Sequence, residues 1–558
     1  MSAAPRRSGG EVLVAALALH GVDLIFGVPG ESYLRALDAL YDRRDAMRFI
    51  VCRHEGAAAH MGEAYGKLTG RPGVVMVTRA PGATHASIGV HTAKQDSTPL
   101  VLIVGLPGRE HLGREAWQEI DVRATFATLA KHAEQVDEAA RIPEAIARAF
   151  ATACNGRPGP VVLGIPEDVL DEQTAVADAP PVTVAPPSPA PEQLAQLRAL
   201  LAGAQRPLVL AGGGGWTAEA CADLQTFADA FGLPVALTFR RQDVFDNAHP
   251  LYAGHAGLGM DRALAQRIRD ADLLLALGPR LGETSTDGYT LLTIPRPVQT
   301  LIHVHPGSEE LGRVYTATLP INAGVAPMAR ALAALAPLPV RPWDAWATAA
   351  HADYEKRLQP PPSAGALDLG AVMVHLRDTL PRDAIVCNGA GNYAIWVQRF
   401  YRYRPLHTQL APTSGTMGYG LPAAIAAKLV HPERVVIDFA GDGCFLMTAQ
   451  ELVTAAQYGL DPIVIVVDNG SYGSIRAHQE REFPARVIAT ELQNPDFVAY
   501  ARAFGAHAER VAATAEFPAA FARARAAGRA ALLELVVERD QLTPDLDVAT
   551  ARARASSR

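Results

Sequence analysis

Short apolar runs alternate along the chain with longer Ala- and Leu-rich stretches whose apolar positions recur every three or four residues. GVVMVT (73–78) and PLVLIVG (99–105) are too short for helices and rich in β-branched residues, so they are read as buried strands. PLVLAG (207–212), LPVALTF (233–239), DLLLALG (272–278) and TLIHV (300–304) repeat the pattern, as do AIVCNG (384–389), RVVIDFAG (434–441) and PIVIVVDN (462–469). Strands that are apolar on both faces and separated by helices predict parallel sheets covered on both sides. The expected class is α/β, with three doubly wound parallel-sheet domains.

Two breaks divide the pattern. DEQTAVADAPPVTVAPPSPAPEQ (171–193) is rich in Pro, Ala and polar residues and offers no periodic face. LAPLPVRPW (335–343) and LQPPPSAGA (358–366) bracket a second break around a short helical stretch. The expected layout is a first domain over 8–170, a linker over 171–193, a middle domain over 194–336, a second linker over 337–366, a third domain over 367–540 and a tail over 541–558. The first and third blocks are alike in size and style.

Composition narrows the setting. The 558 residues carry a net charge of −7, so no basic surface recommends a nucleic-acid partner. The five cysteines are scattered without a CxxC pair, which argues against a disulfide framework and a cysteine zinc site and fits a reducing compartment. The early apolar stretch VLVAALALHGVDLIFGV is broken by His20 and Asp23, and reads as helix, turn and strand rather than signal peptide or membrane span. A cytoplasmic protein without a membrane partner is expected.

The chemistry concentrates at two strand ends in the third block. Gly441-Asp442-Gly443 follows RVVIDFA, and Asp468-Asn469-Gly470-Ser471 closes PIVIVVDN 25 residues later. Ligands of open parallel sheets bind at the carboxyl ends of strands, and glycine lets backbone approach a ligand closely. Asp442, the Asn469 amide oxygen and the Ser471 carbonyl would give part of an oxygen site suited to Mg²⁺ shared with a diphosphate. Either motif alone reads as an ordinary turn; the pair at this separation favours the metal.

This pair resembles the metal motif of the thiamine diphosphate (ThDP) enzymes, Gly-Asp-Gly followed some two dozen residues later by Asn-Asn. Asp468 stands here where the first Asn is usual. SGTMGYGLPAAIAAKL (414–429), NPDFVAYARAFGA (494–506), AWQEID (116–121) and FGVPGE (26–31) are similar to the acetolactate synthase-like branch, and the resemblance spans roughly residues 8–540. It implies a pyrimidine-binding first domain, a middle domain and a diphosphate-binding third domain. It further implies ThDP and Mg²⁺ as cofactors and a homodimer or homotetramer with active sites at the subunit interface.

The resemblance assigns roles residue by residue. Glu55, in CRHEGAAAHMGEAYGKLTG (52–70), matches the glutamate that bonds the aminopyrimidine, and Met417 matches the apolar wedge that bends the cofactor. Ala390, Gly391, Asn392 and Tyr393, in NGAGNYAIW, fall on a diphosphate-binding turn whose family form is closer to Gly-Gln-His. Gly415, Gly441, Gly443, Cys444, Tyr472 and Gly473 complete the implied cofactor contacts, with Pro81 from the first domain. VTRAPGATHASIG (77–89) resembles a loop that approaches the cofactor but carries Ala80 for Gly and His85 for Asn. His85 and Gln118 are the further catalytic candidates. Glu31 in place of a glycine, Trp117 in place of a phenylalanine and His478 in place of a tryptophan are the substrate-side candidates.

One departure bears on the substrate. Acetolactate synthases carry in the middle domain an arginine that grips the carboxylate of the second 2-oxo acid; LGPRLGETSTDGYT (277–290) has Thr284 there. A missing guanidinium removes bidentate recognition, and Arg280 and Arg476 are the substitutes in view. The resemblance therefore implies decarboxylation of a 2-oxo acid, with transfer of the acyl-anion equivalent to a second carbonyl or its release as an aldehyde. An acyloin lyase of the benzaldehyde lyase type and a non-catalytic scaffold of the same fold stay open as alternatives. A nicotinamide oxidoreductase is disfavoured, because the strand after LVLAGGGGW (208–216) ends in Phe-Arg-Arg rather than an acid. FAD, held by the middle domain of acetolactate synthases partly around the altered run, is an open and weaker candidate. His303 and His305 alternate on a strand without a third ligand, so they are read as packing or subunit-contact residues.

Overall fold

The computed structural model describes residues 6–363, 365–404 and 406–556. The chain forms two compact units: residues up to Ala185 with 425–430, and 186–424 with the chain from His431 onward.

The first unit contains a six-stranded parallel sheet. Its strands lie in the order Arg48–Val51, Leu24–Gly27, Gly73–Thr78, Leu100–Leu106, Pro160–Pro166, His132–Gln135. The central strands are buried along their whole length apart from Thr78 at one end, as expected for a parallel sheet with helices on both faces. Helix Gly9–Leu19 opens with a capping box between Ser8 and Glu11. Its Val12, Leu13, Ala16 and Leu17 join Ile25, Val101, Ile103 and Leu163 in the core.

The second unit holds two more six-stranded parallel sheets. The middle one runs Tyr252–Ala256, Val235–Thr238, Pro207–Ala211, Leu273–Leu277, Thr300–His305, Leu319–Asn322, a doubly wound order of 3-2-1-4-5-6 in chain sequence. The third runs Gln409–Leu410, Ile385–Cys387, Val436–Gly441, Ile463–Asp468, Ala531–Val536, His507–Val511. In chain sequence the first and third sheets share the order 2-1-3-4-6-5, so the likeness between the two blocks is topological.

The glycine run of the middle domain has a packing role. Gly213 and Gly278 meet backbone to backbone at the carboxyl ends of Pro207–Ala211 and Leu273–Leu277. A Cβ on Gly213 would stand 2.1 Å from the Gly278 carbonyl oxygen, and one on Gly278 would stand 2.4 Å from that of Gly212. Trp216 Nε1 donates to the Gly212 carbonyl at 2.8 Å and Arg241 Nε to that of Gly213 at 2.7 Å. The run lets the ends of two neighbouring strands approach closely. His303 and His305 are buried, one bonded to the Pro279 carbonyl and the other to the backbone of Gly307.

The segment FRRQDVFDN (239–247) joins the middle and third domains. Asp243 Oδ2 accepts the backbone N–H groups of His407, Thr408 and Gln409 at 2.9, 3.2 and 3.3 Å. Gln242 pairs with Gln409, and Asn247 exchanges backbone and side-chain bonds with Tyr403. Arg240 Nη1 donates to the Pro412 carbonyl at 2.6 Å, at the root of the segment that carries Gly415 and Met417. Where a nicotinamide fold would present an acid to a ribose, this chain spends its polar groups on docking one domain to the next.

One element departs from expectation. The stretch read as a loop over 77–89 is the first half of helix Arg79–Asp96. Pro81 is tolerated there because the first-turn N–H groups of a helix have no intrahelical acceptor. After Gly441 the chain forms one helical turn, Asp442–Phe445, and after Leu446–Thr448 it resumes as a short 3₁₀ turn, Ala449–Glu451, and a helix, Leu452–Gln457. No helix among the described residues is long and apolar enough to cross a membrane.

One buried charge stands out in the third sheet. Neither oxygen of Asp438 has a hydrogen-bond partner, and burial pushes its carboxyl up to about 8. An acid whose folded pKa lies above its unfolded value binds its proton preferentially in the native state, so the fold weakens as pH climbs from 3.8 towards about 8. Asp438→Asn should therefore melt higher than the parent, with a margin that widens up to pH 8 at about 2–4 °C per kcal/mol; thermal unfolding across pH 5–8, on the order of four points, checks it. Asp243→Ala strands three amides and should destabilise the second unit by about 2–4 kcal/mol, read from denaturant unfolding.

Candidate functional site

Strand pairing sets the geometry of the third domain. Val436–Gly441 and Ile463–Asp468 are parallel neighbours with Gly441 opposite Val467. Register alone therefore brings the next residues, Asp442 and Asp468, side by side beyond the carboxyl edge. Asp442 Oδ2 accepts the Gly470 N–H and the Asn494 amide, both at 2.9 Å. The same Asn494 amide reaches Asp468 Oδ1 at 2.8 Å, which also takes the Gly470 N–H at 3.1 Å. Asp442 Oδ1 accepts the Gly443 N–H at 2.7 Å, and burial pushes this carboxyl up to about 6.

A cavity of about 200 Å³ opens over these strand ends. Gly441, Asp442, Gly443 and Cys444 line it from one strand end; Asn469, Ser471, Tyr472 and Gly473 line it from the next. Ala390, Gly391, Asn392 and Tyr393 close a third side, and Gly415 and Met417 a fourth. The strands Ile385–Cys387 and Val436–Gly441 flank the point where the strand order reverses, the usual ligand crevice of an open α/β sheet. All the third-domain residues singled out for cofactor binding thus border one space.

The cavity suits a magnesium diphosphate. Asn469 Oδ1 accepts the Ser471 N–H at 3.0 Å, an Asx-turn that leaves the chain curled around the opening. The Ser471 hydroxyl, on a residue of the cavity wall, is buried without a partner, a polar atom of the kind that an ion and its waters satisfy. Gly415, at φ +68°, has open space where a Cβ would stand. One carboxylate with amide and carbonyl oxygens is a hard, sparse donor set of the kind Mg²⁺ shares with phosphate oxygens. No group of three or more acidic, His or Cys side chains capable of holding a metal occurs among the described residues.

Two contacts differ from a simple phosphate grip. Asn392 is held by the protein: its Nδ2 donates to the Gly473 carbonyl at 3.2 Å and its Oδ1 accepts the Ser474 hydroxyl at 2.9 Å. Tyr393 turns its hydroxyl to Cys444 Sγ at 3.2 Å, and burial drives both groups' pKa up. Backbone amides are then the donors this turn offers to an anion. Asn494, in the NPDF run, ties Asp442 to Asp468; nothing in its local sequence marks it as a clamp.

In the first unit, Glu55 begins helix Glu55–Thr69, just past strand Arg48–Val51. Its side chain is 13% exposed, and Oε2 lies 2.8 Å from His85 Nδ1. The His85 ring stacks on that of His54 at 4.6 Å, and His54 Nδ1 in turn caps the helix by accepting the Gly56 N–H. Burial, with His85 beside it, lowers the pKa of His54. Gln118 lies beside the start of the helix that carries Pro81 and His85, its carbonyl accepting the Ala80 N–H at 3.0 Å. Glu31 and Trp117 are exposed. In the second unit His478 is exposed, with Nδ1 2.6 Å from an Arg481 amino group. Arg476 is committed to Asp540 at 2.6 Å and to the Arg539 carbonyl, so it is no free substitute for the missing arginine.

Comparison with known proteins agrees with this geometry. Residues 7–125 match the thiamine pyrophosphate enzyme N-terminal TPP binding domain, 194–332 the central domain and 389–535 the C-terminal TPP binding domain. The chain is 32% identical over 557 residues to a probable acetolactate synthase large subunit of Methanocaldococcus jannaschii, covering 96% of this chain and 93% of the relative. It is 34% identical over 514 residues to an acetolactate synthase large subunit of Parasynechococcus marenigrum, covering 89% and 82%. Against the acetolactate synthase isozyme 2 large subunit of Escherichia coli it is 32% identical over 509 residues, covering 90% and 91%. With its three domains matched in order and its length covered by such relatives, the chain belongs to the thiamine pyrophosphate-dependent enzymes of the acetolactate synthase large-subunit family.

Proposed function

We propose that the protein uses ThDP and Mg²⁺ to decarboxylate a 2-oxo acid and to transfer the resulting acyl-anion equivalent to a second carbonyl, or release it as an aldehyde. The observation that carries this reading is the single cavity bordered by Asp442, Asn469, Ser471 and Met417. When bound, the cofactor's thiazolium supplies the electron sink for loss of CO₂. Asp442, Asn469 and the Ser471 carbonyl hold the metal, and the backbone amides around Ala390–Tyr393 and Gly441–Cys444 hold the diphosphate. Met417 would offer the cofactor's rings an apolar surface on the cavity wall.

Glu55 holds the proton at the pyrimidine ring. Its Oε2 is taken by His85 and its other oxygen has no partner among the described residues, so that oxygen is available to the ring. His85 fixes the carboxylate's orientation, and the His54 stack fixes His85. Glu55 and Asp442 act from different copies of the chain in this proposal, which makes the working form a homodimer or homotetramer in the cytoplasm.

The test is a panel of pyruvate, glyoxylate, benzoylformate, longer 2-oxo acids and acyloins, with CO₂ and product followed. At least one 2-oxo acid should release CO₂ only when ThDP and Mg²⁺ are both present. Glu55→Gln should lower kcat by about 100-fold or more while calorimetry still detects ThDP binding. Asp442→Ala should lose the magnesium-dependent part of that binding. Turnover by Glu55→Gln at the parent rate would remove Glu55 from the mechanism.

A further inference from the structure

The segment of the third domain that carries Met417 is fixed at both ends, and one of the fixing groups belongs to the middle domain. At the far end the Gly418 N–H donates to Cys444 Sγ at 3.3 Å, and the Gly418 carbonyl accepts the Thr448 hydroxyl at 2.8 Å. Cys444 and Thr448 lie in the chain that follows Gly441-Asp442-Gly443, so this end is tied to the Gly-Asp-Gly turn. A Cβ on Gly418 would stand 2.7 Å from that of Met447, and glycine lets the two segments meet this closely. At the near end the Pro412 carbonyl takes two donors. The Gly415 N–H at 3.1 Å closes a turn, and Arg240 Nη1 reaches the same oxygen at 2.6 Å. Met417 stands on the span 413–417 between these fixed points and borders the cofactor cavity.

The middle domain holds Arg240 firmly in turn. The residue lies just past strand Val235–Thr238, is 3% exposed, and has a left-handed backbone at φ +59°. A non-glycine residue persists there where its surroundings over-determine it, and such residues gather at functional sites. Its guanidinium lies over the Phe239 ring, 4.9 Å from the centroid. Phe239 packs on Gly257, where a Cβ would stand 2.5 Å from Cδ2 of the ring, and its N–H donates to Ser285 Oγ at 3.4 Å. Burial, and Cys444 after it, raise the pKa of the Tyr393 hydroxyl, and the charge of Arg240 opposes that rise. The field of the guanidinium therefore reaches a second side of the cavity wall.

A hydrogen bond from a guanidinium to a carbonyl is charge-assisted, and stronger than one between neutral groups. We infer that Arg240 is a positioning residue for the cofactor: through the Pro412–Gly415 turn it fixes where Met417 stands on the cavity wall, and so governs how ThDP is held there. The inference rests on the function proposed above. It gives the middle domain a part in a cavity whose lining comes from the third.

The effect can be read without turnover. ThDP has no chiral centre, so it acquires circular dichroism only when the protein holds its rings in one handed arrangement. The full-length protein is titrated with ThDP at saturating Mg²⁺, below its melting transition, and the induced band and the calorimetric affinity are both followed. Arg240→Met should bind ThDP about tenfold more weakly and show a diminished band at saturation. Arg240→Lys, with a single shorter-reaching donor, should fall between it and the parent, and carries the test if Arg240→Met does not fold. Asp243→Ala loosens the same joint at 407–409 but spares the Pro412 carbonyl, so it should melt lower and keep the parent's band and affinity. An unchanged band and affinity in the Arg240 variants overturns the inference. Equal losses in Arg240→Met and Asp243→Ala overturn it too, because the stability of the joint alone would then account for them. A parent protein that binds no ThDP refutes the functional reading and the inference with it, an outcome distinct from normal binding by the variants.

Discussion

The parallel register of two strands is the constraint on which the third-domain site depends. Gly441 faces Val467 in a ladder whose interior side chains, Asp438 apart, are committed to apolar packing. The first free positions lie beyond the carboxyl edge, and there the chain sets Asp442 against Asp468 with the Asn494 amide between them. Like charges this close are tolerated because burial favours the protonated form of Asp442 and because Gly470 and Asn494 donate to both groups. A cation entering the cavity would complete a balance that the protein leaves half made.

The same rule organises the first domain, whose sheet has the same strand order. Glu55, Arg79, Pro107 and Glu167 all follow strand ends on one edge. The helix positions that close on those ends differ in what they tolerate. His54 caps one helix with its own ring, and Arg79 opens another in a left-handed conformation, braced by Glu167 and the Trp117 carbonyl. Rigid strands thus deliver polar groups to a fixed line, and the turns decide which way each one faces.

Much of this was legible in the sequence because burial on both faces writes itself as uninterrupted apolar runs. Gly73–Thr78 and Pro207–Ala211 fall within one residue of the runs that predicted them. The edge strands His132–Gln135 and Gln409–Leu410 were not marked, since a half-exposed or two-residue strand leaves no apolar run to read. The Gly-Asp-Gly and Asp-Asn-Gly-Ser motifs pointed to one place because each closes a central strand. Asn494, Arg240 and the Arg79 brace were invisible for the opposite reason: their partners lie 26 to 172 residues away, and only the folded chain brings the pairs together.

The segment 239–247 has a bearing on how such proteins can be recombined. Its side chains recognise backbone groups of the third domain: the amides of residues 407–409, the carbonyl of Pro412 and that of Gln398. Backbone recognition is indifferent to most substitutions in the partner but exacting about its path. A chimera that grafts a foreign middle domain onto this chain would keep its joint if the graft brought a matching Arg-Arg-Gln-Asp run, however divergent the remaining surface, and would come apart at that hinge if it did not.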